Sequence, residues 1–75
     1  MDRKELFEFI ESALRTVLES MRMRIMQEDI EAVEEFLGVG EYGLAYERLI
    51  DSIPQDADDS IKIKLQSVGE LMGLR

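Results

Sequence analysis

The sequence contains neither cysteine nor histidine, and these two absences exclude much of the chemistry that proteins perform. Without cysteine the chain has no disulfide framework, no thiolate nucleophile and no zinc site of the usual kind. Without histidine it lacks the side chain that most often acts as a general base at neutral pH. None of its serines lies in the glycine-flanked turn that exposes a catalytic serine. We therefore expect a protein that is not an enzyme and holds no metal or cofactor.

Long apolar runs are missing as well. No stretch of the chain approaches the roughly 18 consecutive apolar residues that a membrane-spanning helix requires. The amino-terminal residues also lack the uninterrupted apolar segment of a signal peptide. Together with the absence of cysteine, these features predict a cytoplasmic protein that does not contact a membrane.

Positive charge is scarce, since 9 lysines and arginines stand against 17 aspartates and glutamates, for a formal net charge of −8 at pH 7. The imbalance lies within residues 28–59, where Arg48 is the single base, and the rest of the chain has six acids and eight bases. A field concentrated in this way repels nucleic acid and anionic lipid and attracts a cationic protein. We therefore expect a basic protein as the partner and no nucleic acid. The eleven acids of the segment are Glu28, Asp29, Glu31, Glu34, Glu35, Glu41, Glu47, Asp51, Asp56, Asp58 and Asp59.

Two patterns in this segment resemble known binding motifs, but neither meets the requirements of its motif. The acids from Asp56 onward resemble the opening of a calcium loop, but Ile61 replaces the required glycine and Ser67 replaces the closing glutamate. The glycines of residues 38–43 resemble a nucleotide-binding motif, but they follow a helical pattern instead of a strand, in acidic surroundings that disfavour phosphate.

Solubility alone would not require acids concentrated in one segment. We interpret them as a binding surface that lacks internal ion pairs and whose helices repel one another.

Apolar residues recur at steps of three and four in four segments, which is helical periodicity. Short connections separate the segments, and this arrangement is typical of a small all-α bundle. The sequence therefore predicts one domain, residues 1–75, with helices over residues 2–20, 27–37, 41–53 and 60–72.

The helix boundaries have local causes. Asp2 can cap the first helix, because its carboxylate can accept a hydrogen bond from a free backbone N–H. Gly38-Val39-Gly40 ends the second helix, since glycine adopts the left-handed conformation that closes a helix. Pro54 ends the third, because the residue before proline is disfavoured in the helical region. Gly73 is placed to end the fourth.

Residues 21–26 alternate methionine or isoleucine with arginine, and we interpret them as an extension of the first helix or as a connection. We expect the methionines to fill gaps in the core and the arginines to pair with acids of the second helix. The alternative is a basic, adaptable strip for a second contact or for self-association. Three further apolar residues, Phe36, Leu44 and Ile63, widen the apolar stripes, and we favour a place for them in the core over a partner-facing patch.

Residues 34–50, with the sequence EEFLGVGEYGLAYERLI, resemble the central motif of the MafI family and of similar immunity proteins of contact-dependent growth inhibition. In these families a helix ends in a glycine turn and an acidic-aromatic motif opens the next helix. The final helix ends near Met-Gly-Leu, as Met72-Gly73-Leu74 does here. The resemblance covers roughly residues 28–75, although the loop after Pro54 is shorter than in the family.

The resemblance implies a cytoplasmic protein that binds and neutralises a cognate toxin domain, commonly a cationic nuclease. We expect the acidic outer sides of the second and third helices to make the contact, and Tyr42 and Tyr46 to pack inward unless one is exposed as an anchor. Two alternatives remain: an acidic adaptor for another basic protein, and a structural protein that self-assembles into a homo-oligomer. The expected contact residues are Glu31, Glu34, Glu35, Glu41, Tyr42, Glu47 and Asp51.

Overall fold

The computed structural model describes residues 2–74, and these residues form a small all-α bundle, as predicted. Met1 and Arg75, the two ends of the predicted domain, lie outside the described residues. A single 3-10 turn at Arg22–Arg24 connects the first two helices, so the connection interpretation of residues 21–26 is confirmed. The four helices are α1 (Arg3–Met21), α2 (Gln27–Gly38), α3 (Tyr42–Ser52) and α4 (Asp59–Leu71).

The predicted capping residues lie at or next to the ends of the helices, and α2 ends one residue later than predicted. Asp2 caps α1, and its Oδ1 accepts a hydrogen bond of 2.8 Å from the Glu5 backbone N–H. Helix α2 continues through Gly38, and the left-handed residue that closes it is Gly40, with φ of 77°. The backbone N–H groups of Gly40 and Glu41 then donate back to the last turn of α2, which is the Schellman arrangement.

The same motif closes α4. Gly73 has φ of 75°, and its N–H donates to the Glu70 carbonyl at 3.0 Å. The Leu74 N–H donates to the Gly69 carbonyl at 2.9 Å, which fixes the direction of the chain beyond the helix. As a result, Leu74 lies beside the amino-terminal end of α1 instead of continuing the axis of α4.

All four helices contribute to one apolar core. The interface between α2 and α3 is the most extensive, and the interface between α1 and α4 is the next. Helix α1 also contacts α2 and α3. The side chains of Leu14, Val17, Val33 and Leu49 are fully enclosed, and Leu65 and Val68 bring α4 into the same cluster. No polar or charged residue within the described range is buried.

Several apolar residues that were expected in the core lie at the surface instead. Leu44 is 50% exposed and Ile63 is 61% exposed, while Phe36 is half-buried against the core. Met21 is buried as expected, but Met23 is 95% exposed and Met26 is 67% exposed. The reason is that the 3-10 turn directs residues 22–24 outward and Ile25 takes the core position that follows it.

Candidate functional site

The outer side of α2 is acidic and faces solvent. Ile30, Val33 and Leu37 form its buried stripe, and the exposed glutamates lie on the opposite side of the helix by the 3.6-residue repeat. No ion pair joins these glutamates to other described residues, although Glu31 accepts a hydrogen bond of 3.3 Å from the Gln27 side chain. The exposed glutamates of this side are Glu28, Glu31 and Glu35.

The outer side of α3 continues this pattern with one apolar member. Leu44, Glu47 and Asp51 follow one another at steps of three and four, so they share a stripe. Both carboxylates are exposed, and neither pairs with a cation within residues 2–74. We call the five exposed acids of the two helices the acidic face: Glu28, Glu31, Glu35, Glu47 and Asp51.

The expectation that the acidic segment lacks internal ion pairs is wrong. Arg48, its only base, lies on the flank of α3 that meets α2 and contacts Asp29 there. Its Nε and Nη2 donate to the same carboxylate oxygen, Oδ1, at 2.8 and 2.7 Å. This pair therefore joins the two helices at the side of the acidic face and does not neutralise the face itself.

Two arginines from the 3-10 turn pair with further acids of the segment. Arg22 Nη2 bridges Glu19 Oε1 at 2.6 Å and Glu34 Oε2 at 2.9 Å, which confirms the predicted pairing of an arginine with α2. Arg24 instead reaches the loop before α4 and contacts Asp56 Oδ1 at 2.6 Å. Hydrogen bonds from these guanidinium groups lower the pKa of the Glu19 and Asp56 carboxyls below their ordinary values.

The predicted contact residues are thus divided among three places. Glu31, Glu35, Glu47 and Asp51 lie on the acidic face. Glu34 lies at its edge, engaged by Arg22. Glu41 and Tyr42 lie elsewhere, at the turn between α2 and α3 and beside the amino-terminal end of α1.

Tyr42 is half-buried against α1, whereas Tyr46 is buried, so the inward packing predicted for the tyrosines holds fully for Tyr46. The Tyr42 ring lies 6.0 Å from the Phe7 ring, centroid to centroid. Its hydroxyl donates to Glu11 Oε1 at 2.9 Å. This hydrogen bond raises the pKa of Tyr42, while the Arg15 side chain and then Tyr42 lower the pKa of Glu11.

Beside Tyr42 lies a groove of about 350 Å³, which we call the apolar groove. It lies between the first turns of α1, the start of α3 and the end of α4. At its edges Phe7, Leu71 and Leu74 remain 40%, 45% and 44% exposed. Its lining consists of Leu6, Phe7, Ile10, Gly40, Glu41, Tyr42, Gly43, Leu71, Met72 and Leu74.

The helical periodicity of the sequence did not indicate this groove. Phe7 and Leu71 fall within the periodic segments of the first and fourth helices, and Leu74 was noted only for its likeness to a family motif. The available signal was Gly73, because a glycine that reverses the chain after α4 places the next apolar residue back against the bundle.

Residues 2–74 show no converging metal ligands, since no group of three or more aspartate or glutamate side chains is placed to hold an ion. None of the helices in this range is long and apolar enough to cross a membrane. The arrangement offers surfaces for contact: exposed carboxylates on α2 and α3, and an open apolar groove beside the first turns of α1.

Comparisons of the chain with protein-family models, with curated proteins and with solved structures find no match.

Proposed function

We propose that this protein binds a basic protein through the acidic face and thereby inhibits it, and that the partner is a cognate toxin domain, most simply a cationic nuclease. The observation that carries the proposal is the set of exposed carboxylates on α2 and α3 whose charge no described cation neutralises. The arginines within or next to the segment are paired with Asp29, Glu34 and Asp56, none of which belongs to the acidic face.

Charge of this kind supports inhibition of a nuclease in particular. A nuclease must present cationic groups to hold phosphates, and these groups favour any surface with a high density of negative charge. Long-range attraction accelerates the encounter, and contact over the cationic surface then blocks the nucleic acid. The likeness of residues 34–50 to immunity proteins supports a toxin domain as the partner over other basic proteins.

The experiment is a binding assay at low and at high salt. It tests the tagged protein against the carboxy-terminal domain encoded by the gene immediately upstream, which is the candidate toxin domain. We expect tight capture whose association rate falls as salt rises, because screening weakens attraction between exposed charges. An unrelated basic protein should bind weakly at low salt and be lost at high salt. Absence of capture of the upstream domain at either salt would contradict the proposal for a toxin partner.

Two double variants separate the acidic face from net charge. Glu35→Lys with Glu47→Lys reverses two charges on the acidic face, and Glu8→Lys with Glu70→Lys reverses two exposed charges on α1 and α4. Both variants change the formal net charge from −8 to −4. We expect the first to slow association at least about tenfold and the second to have a much smaller effect. Equal effects would assign the attraction to net charge instead of this face.

A further inference from the structure

The apolar groove has the features of an anchoring site, beginning with its exposed walls. Large apolar side chains that are exposed singly are normal, but here Phe7, Leu71 and Leu74 converge on one concavity. Half-buried Leu6 and Met72 extend the apolar surface toward the core. The groove therefore offers a partner more apolar area in one place than isolated surface residues do.

The floor and one wall of the groove are held in place. Tyr42 is fixed by its contact with the Phe7 ring and by its hydrogen bond to Glu11. Gly40 and Gly43 present bare backbone at the lining, and a Cβ built at either meets nothing within 4 Å, so the space beside them is open. A preorganised apolar concavity lowers the entropy cost of receiving a side chain.

The charges at the edge of the groove indicate what kind of partner fits. Glu41 is exposed at the lining and immediately precedes α3, which carries Glu47 and Asp51 of the acidic face. The Arg3 guanidinium lies 5.8 Å from the Phe7 ring centroid and marks the other edge. A basic partner seated on the acidic face is therefore close to the Glu41 edge of the groove, where its charge is favoured, because a rise of about 1.5 Å per residue places Glu47 only about 9 Å farther along α3.

One other occupant of the groove and one other site for the partner fit less well. A second copy of this chain would bring two molecules of formal charge −8 together, with a like-charge cost that a cationic partner avoids. The larger cleft between α3 and α4, about 520 Å³, has Lys62 at its lining, so it does not offer a basic protein the same complementary edge.

From these observations we infer that the apolar groove receives an apolar side chain of the same basic partner that the acidic face attracts. This inference rests on the proposed function and adds a division of roles to it. The acidic face accelerates association, and burial of the partner's side chain against Phe7, Leu71 and Leu74 slows dissociation. Such a division is physically expected, because exposed charges act mainly on encounter while desolvated apolar anchors hold a complex together.

The test compares two double variants of the full-length protein in binding kinetics with the upstream-encoded domain. Leu71→Gln with Leu74→Gln removes two apolar side chains from the groove. The matched control, Met23→Gln with Ile63→Gln, removes two exposed apolar side chains from other surfaces. We expect the groove variant to dissociate at least about tenfold faster with an unchanged association rate, and the control to behave as the unmodified protein does.

Each outcome has a definite meaning. A groove variant that dissociates at the unmodified rate, while the unmodified protein binds, overturns the inference and leaves the proposed function intact. Absence of binding by the unmodified protein overturns the proposed function and the inference with it. Sedimentation of the proteins without partner tests whether the groove instead binds a second copy of the chain. If the unmodified protein and the control form a dimer and the groove variant does not, the groove is assigned to a second copy and the inference is overturned. Circular dichroism confirms that both variants fold.

Discussion

The α2–α3 pair and the α1–α4 pair share one core but expose different surfaces. Helices α2 and α3 carry seven acids and one base, whereas α1 and α4 carry six acids and five bases. The apolar groove is formed mainly by α1, the start of α3 and the residues at the end of α4. The inward stripes therefore determine the fold, while the outward sides are free to carry either charge or apolar contact area.

The largest expected effect tests whether the two pairs really depend on a single core. Leu14→Ala in α1 and Leu49→Ala in α3 each truncate a fully buried side chain. We expect each to lower the free energy of unfolding by about 2–5 kcal/mol, through lost apolar burial and the cavity that remains. Urea unfolding followed by circular dichroism measures the change.

Leu44→Ala is the control, because this leucine lies on α3 but is half exposed. Its cost should stay below about 1 kcal/mol. Each variant should still unfold in one cooperative transition, since a small domain with one core unfolds as a unit. Two separate transitions, one for each helix pair, would contradict the single core.

The second effect concerns the turn that joins α2 to α3 and contributes to the lining of the apolar groove. Gly40 has φ of 77°, so Gly40→Ala should cost about 1–2 kcal/mol, because a Cβ disfavours the left-handed region. Gly38→Ala is the matched control, since Gly38 lies in the last turn of α2 and should gain about 0.5–1 kcal/mol. A Cβ at either position meets no neighbouring atom within 4 Å, so the comparison isolates backbone conformation. Equal changes in the free energy of unfolding of the two variants, measured with urea, would contradict this expectation.

Sequence patterns predicted the helices well because their causes are local. Asp2, Gly40, Pro54 and Gly73 act on residues within one turn of themselves, and the periodicity of three and four identifies each buried stripe. Four acids of the outer sides were also located correctly, because Glu31, Glu35, Glu47 and Asp51 lie opposite those stripes, whereas Glu34 lies at the edge beside Arg22 and Glu41 lies at the turn before α3.

Positions on the flanks of the helices were harder to predict, because their exposure depends on which neighbour covers them. Leu44 and Tyr42 are two residues apart, yet the first faces solvent and the second packs on α1. The pairing of Arg24 with Asp56 spans 32 residues, and no local pattern indicates it. The groove was missed for the same reason, since three separate segments form it.

A smaller effect concerns the difference in charge between the α2–α3 pair and the α1–α4 pair. Glu35→Lys with Glu47→Lys should raise the free energy of unfolding slightly at low salt, by less than about 1 kcal/mol, because it relieves repulsion among the acids of α2 and α3. Glu8→Lys with Glu70→Lys should change it less, since bases already lie among the acids of α1 and α4. The gain should vanish in 1 M salt. A gain that persists there would have another cause.

The smallest effect concerns Glu11, the carboxylate that links α1 to the start of α3. Arg15 and Tyr42 lower its pKa below the ordinary value of 4.5, so its charged form stabilises the folded state above that pH. This contribution is lost as pH falls through the lowered pKa of the folded protein. In Glu11→Gln the side chain still offers Tyr42 an acceptor but has no charge to lose.

The unmodified protein should therefore be slightly more stable than Glu11→Gln at pH 7, and the difference should shrink as the pH falls below about 4.5. The difference in stability between the two proteins is the quantity to measure, because pH-dependent effects that both proteins share cancel in it. Glu8→Gln serves as control, since Glu8 is exposed on the same helix and forms no ion pair within residues 2–74. If both variants converged with the unmodified protein to the same extent, the charge of Glu11 would add nothing to the stability of the folded state through Arg15 and Tyr42.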